Sequence, residues 1–66
     1  MKNTIRVERA ILYMTQQQLA DAIGVSRNTI NSIESGKYVP STVLALKIAR
    51  YFGKPTDSIF ELDEND

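Results

Sequence analysis

No cysteine, histidine or tryptophan occurs in the sequence, and only two prolines and three glycines interrupt it. Without cysteine there is neither a disulfide nor a thiolate site. Without histidine the only metal ligands left are carboxylates, which recur in no binding-loop spacing. Metal and redox chemistry are therefore excluded, and no cofactor is expected. Long apolar runs are missing too. No uninterrupted stretch approaches the roughly 20 residues that span a bilayer, and Arg6, Glu8 and Arg9 break any signal-peptide core near the start. A cytoplasmic chain with no membrane partner is expected. At 66 residues one domain, 1–66, is expected, because a chain of this size sustains a single small core. That leaves no room for a ligand-sensing domain, and no small-molecule ligand is expected.

Net charge is zero, a sum that usually argues against nucleic acid, but its distribution says otherwise. All eight basic residues lie within residues 1–54, against the three acids Glu8, Asp21 and Glu34, a balance of +5. The other five acids, Asp57, Glu61, Asp63, Glu64 and Asp66, stand in the last twelve residues without a basic neighbour. A basic body is thus followed by an acidic tail, about 61–66, expected to be a frayed, solubilising end.

The hydrophobic pattern predicts an all-α chain of five short helices. A first helix is predicted from about Asn3 to Tyr13, with Ile5, Arg9 and Leu12 on adjoining strips. Thr15 followed by Gln18 is a capping box, which opens a second helix whose buried stripe is Leu19, Ala20 and Ile23, ending at Gly24. Ser26 caps a third, with Ile30 and Ile33 inward and Gly36 at its left-handed end. Ser41 caps a fourth, with Leu44, Ala45, Ile48, Ala49 and Phe52 as its apolar face. A last turn starts near Thr56 and buries Ile59 and Phe60. No period-2 strand with a hairpin turn is visible.

Between the second and third helices only Gly24, Val25 and the Ser26 cap intervene, so the two must cross steeply. Ala20 is small enough to let the third helix approach, and Gly24 can adopt the positive φ of the turn. This is the signature of a helix-turn-helix. The outer face of the third helix, opposite Ile30 and Ile33, carries Arg27, Asn28, Thr29, Asn31 and Ser32. Arg can bridge guanine O6 and N7, Asn can bridge adenine N6 and N7, and a Thr methyl can meet a thymine methyl. These five are the candidate base readers of double-stranded DNA.

Read as a unit, QQQLADAIGVSRNTINSI (Gln16 to Ile33) resembles the phage-repressor, Cro/CI-type or XRE, class of helix-turn-helix regulators. The flanking NTIRVERA, the Glu34-Ser35-Gly36-Lys37 stop, VPSTVLALKIARYFG and the closing SIF are similar as well. Two stretches depart from the family pattern. Ile11, Leu12 and Tyr13 stand where such proteins more often carry polar residues or Gly, and Lys54-Pro55 replaces a more usual apolar approach to the last helix. The resemblance implies that Gln16 grips a phosphate from the N-terminus of the second helix. It further implies that Lys37, with Ser35 and Tyr38, holds another phosphate, and that Arg9 and Glu34 form a structural ion pair across the core. Regulators of this kind are expected to act as sequence-specific repressors. A small core without staples, and a module that reads only a few base pairs, both favour a homodimer on a palindromic operator. Its contact surface is expected at Leu46, Ile59, Phe60 and Leu62.

Enzyme readings find no support in the residues. Ser26, Ser32 and Ser35 have no His to serve as base, a Ser–Lys pairing with Lys37 would be coincidental, and Gly24-Val25-Ser26 lacks the Lys and spacing of a phosphate loop. Asp63 and Glu64 are adjacent on a tail and cannot flank a substrate. The alternative to a DNA-binding regulator is an interaction module of the same fold, antitoxin-like or an adaptor. It is motivated by the apolar surplus at Ile11, Leu12, Tyr13, Val43 and Leu46.

Overall fold

A computed structural model describes residues 1–66. Five helices follow in order: α1 (Ile5–Ile11), α2 (Gln16–Ile23), α3 (Arg27–Glu34), α4 (Thr42–Phe52) and α5 (Thr56–Ile59). The expectation of a five-helix chain holds, with one addition. Two-residue strands β1 (Lys2–Asn3) and β2 (Phe60–Glu61) pair antiparallel, Lys2 opposite Glu61 and Asn3 opposite Phe60. The ladder continues where the Thr4 amide donates to the Ile59 carbonyl at 2.9 Å, so the two ends of the chain are joined.

Every element except β1 gives side chains to one core. Ile5 comes from α1, Leu19, Ala20 and Ile23 from α2, Ile30 and Ile33 from α3, Ile48 and Ala49 from α4, Ile59 from α5 and Phe60 from β2. Fully burying an isoleucine or leucine contributes roughly 1.5–3 kcal/mol, and six such side chains are fully buried here. Ala20 is completely buried where α2 packs on α3, as the steep crossing requires. Gly24 follows at φ +87° with no atom within 4 Å of a would-be Cβ, so it is the backbone angle that calls for glycine there.

The helix starts follow local chemistry. The Thr15 hydroxyl accepts from the Gln18 amide at 3.0 Å while the Gln18 side chain accepts from the Thr15 amide at 2.8 Å. Ser26 accepts from the Thr29 amide at 3.1 Å, and Ser41 from the Leu44 amide at 3.2 Å. The first helix is shorter than predicted at both ends. At its start Asn3 belongs to β1. Its side chain both accepts from the Ile5 amide at 3.2 Å and donates to the Ile33 carbonyl at 2.8 Å, tying the start of α1 to the end of α3. At its end the Tyr13 amide donates to Ala10 and the Met14 amide to Arg9, with Tyr13 at φ +53°. That is a left-handed Schellman ending built on a tyrosine.

The tail is not frayed. The Met1 amine lies 3.1 Å from Asp63 and 3.2 Å from Asp66, while the Asn65 amide donates to Asp63 at 2.8 Å. Ile59 and Phe60 also correct the expectation for a contact surface. At 1% and 8% exposure they fill the chain's own core and present nothing to a second copy. Leu46 and Leu62 remain exposed. No helix is long and apolar enough to cross a membrane.

Candidate nucleic-acid interface

Helix α3 presents its polar side outward. Arg27, Asn28 and Asn31 are exposed, and Thr29 and Ser32 are half-buried. Their availability differs. No group within the chain binds the Arg27 guanidinium or the Asn28 amide, whereas the Thr29 hydroxyl lies 2.9 Å from that of Ser26, which leaves the methyl as its free chemistry. Asn31 accepts from the Gln16 side chain at 3.3 Å, keeping its own amide protons free.

The turn after α3 folds back on the helix. The Ser32 carbonyl accepts from the amides of Lys37 and Tyr38 at 3.0 and 3.2 Å and from the Ser35 hydroxyl at 3.1 Å. One carbonyl thereby holds Ser35, Lys37 and Tyr38 beside the last turn of α3. The Ser35 proton is committed to that bond. The Lys37 ammonium is exposed and has no carboxylate partner. Tyr38 joins Asn28, Thr29 and Ser32 around a shallow hollow of about 270 Å³, so this aromatic borders the outward face of α3.

Behind this face lies a charge cluster centred on Glu34, whose side chain is only 2% exposed. Arg9 grips it with two bonds, Nε to Oε2 at 2.7 Å and a terminal nitrogen to Oε1 at 2.9 Å, and donates a third to the Met14 carbonyl at 2.8 Å. Hydrogen bonding to Glu34 holds the Arg9 pKa above its ordinary value. Gln16 also reaches Oε1, at 3.4 Å, so its amide spans from Glu34 to Asn31 and fixes the start of α2 against α3.

Two charged groups escaped the sequence reading. Arg6 approaches Glu34 to 3.8 Å with its side chain 79% exposed, which puts a cation next to Gln16. Its spacing of three from Arg9 on a helix was the available signal. Glu8 is buried and takes a 2.8 Å ion pair from Lys54. Nothing local marks that contact, because it joins α1 to the turn beyond α4.

The Helix-turn-helix family matches residues 5–59. An uncharacterized HTH-type transcriptional regulator of Methanocaldococcus jannaschii is 47% identical over 66 residues, covering all of both chains. One from Bacillus subtilis is 42% identical over 64 residues, covering 97% of each. One from Archaeoglobus fulgidus is 47% identical over 66 residues, all of this chain and 93% of its own. With α2 and α3 crossing at Gly24, and relatives alike along 93% or more of their length, this chain belongs to the XRE-type helix-turn-helix family.

Proposed function

We propose that the chain is a sequence-specific transcriptional repressor that binds double-stranded DNA as a homodimer, reading the major groove with α3. The observation that carries this reading is the α3 face, where Arg27, Asn28 and Asn31 stand exposed with hydrogen-bonding groups free, next to the unpaired ammonium of Lys37. Base edges need such groups on a helix narrow enough for the major groove, and phosphates need a cation beside it. The relatives' names as HTH-type transcriptional regulators support the same role. Arg27, Asn28, Thr29, Asn31 and Ser32 act as readers. Gln16, Lys37, Tyr38 and Ser35 position the backbone, the serine through its place in the turn.

The size of one chain supports the symmetry. The longest dimension of the chain is 30 Å, while successive major grooves on one side of DNA repeat at about 34–36 Å. Two copies are needed to read two grooves. Leu46 and Leu62, both exposed, belong to the proposed contact. Occupying an operator by two such modules excludes other proteins from it, which makes repression the simplest consequence, and the cytoplasm, where the chromosome lies, the place of action.

Titration of duplex DNA at two salt concentrations tests the reading. Affinity is expected to fall steeply as salt rises, because bound cations release counterions from the phosphates. No binding, or binding indifferent to salt, would overturn it in favour of an interaction module of the same fold.

A further inference from the structure

Charges and apolar side chains not used by the α3 face form two surfaces of opposite character. On α4, Lys47 and Arg50 are exposed one turn apart, and neither has a carboxylate within salt-bridge distance. With Ala22, Ile23 and Tyr51 they line an open hollow of about 400 Å³ between the end of α2 and α4. The hollow offers apolar surface and two cations. Leu46 is exposed on the adjoining strip of α4.

The second surface is the tail. Asp63 and Asp66 are engaged by the Met1 amine, which holds the segment in place. Between and beside them Glu61, Leu62 and Glu64 are exposed, and Leu62 is 74% so. A single apolar side chain flanked by carboxylates stands out from an anchored strand end.

We propose that these surfaces bind each other across two copies of the chain. Leu62 of one copy enters the hollow of the other, Glu61 and Glu64 face its Lys47 and Arg50, and a twofold axis repeats the contact in reverse. The inference rests on the homodimer proposed above and names its interface. Charge complementarity selects the occupant, since the exposed carboxylates of Glu61 and Glu64 and the unpaired cations of Lys47 and Arg50 belong to the same chain. The apolar anchor supplies affinity, while the charges set register and exclude like-charged partners. An isologous contact counts each pairing twice.

Light scattering of the chain without DNA tests this by charge exchange. Wild type is expected at about twice 7.4 kDa. Lys47→Glu/Arg50→Glu and, separately, Glu61→Lys/Glu64→Lys are expected at the mass of one chain under the same conditions. An equimolar mixture of the two should return to the mass of two, because both contacts of the mixed pair regain opposite charges. Leu62→Asp, at an exposed position that leaves the core intact, should lower dimer affinity at least tenfold. Unchanged helical circular dichroism verifies the fold of each variant. A monomeric wild type, a dimer that survives both reversals, or a mixture that stays monomeric would overturn the interface. Sequence-specific binding measured on the wild type decides the DNA reading separately.

Discussion

Removing one partner of the Arg9–Glu34 pair strands the other charge in a site with almost no water, since the Glu34 side chain is 2% and that of Arg9 14% exposed. A buried pair contributes little relative to an apolar isostere, but breaking it costs about 3–5 kcal/mol. A domain of this size has total stability of only about 3–10 kcal/mol. Arg9→Met and Glu34→Gln are therefore each expected to come close to unfolding the protein. Denaturant melts should show the double variant less harmed than the sum of the two, and strict additivity would mean the pair carries no coupling. Glu34 also orients Gln16.

At the scale of elements, the informative case is the end of α1. A tyrosine at φ +53° bears roughly 1–2 kcal/mol of left-handed strain, while glycine there would lose part of the gain to its freer unfolded chain. Tyr13→Gly is expected to raise stability by about 1 kcal/mol, read as a higher urea midpoint; a lower one would show that the ring makes contacts worth more than the strain. At the start of α2, Thr15→Ala should cost about 1 kcal/mol by removing the capping box. These two ends differ in how legible they are. Thr15, Ser26 and Ser41 cap through bonds to amides three residues on, so spacing alone reveals them. The end of α1 defies propensity, because Tyr13 does what glycine or asparagine normally does. The strands escaped notice for another reason. Two residues cannot show alternation, and β1 exists only because the far end of the chain lies beside it.

For the whole molecule, the joined termini make stability depend on pH. Hydrogen bonds to Asp63 and Asp66 raise the pKa of the Met1 amine, and the Asn65 amide, followed by the Met1 amine, lowers that of Asp63. The carboxylate's contribution is present above its unfolded pKa and is lost as pH falls below about 4 through the lowered folded value. The amine's contribution is present below its unfolded pKa and is lost as pH rises above about 8 through the raised one. Urea midpoints should decline on both flanks, and Asp63→Asn should flatten the alkaline decline. The α3 face was readable from the sequence because residues opposite Ile30 and Ile33 must point outward. The place of Tyr38 and the approach of Arg6 to Glu34 were not, since turns and long-range packing decide them; the burial of Ile59 and Phe60 was legible in the pattern, and it rules out the contact surface also expected of them. The central claim is that α3 reads bases while its surroundings hold phosphate, and competition binding on a panel of base-substituted operators tests it most directly. Asn28→Ala should lose about 1–3 kcal/mol on the operator and relax preference at particular base pairs. Lys37→Ala should weaken operator and random duplex alike and reduce the salt slope by about one per half-site. If both substitutions shifted every sequence by the same factor, α3 would not be the reading helix.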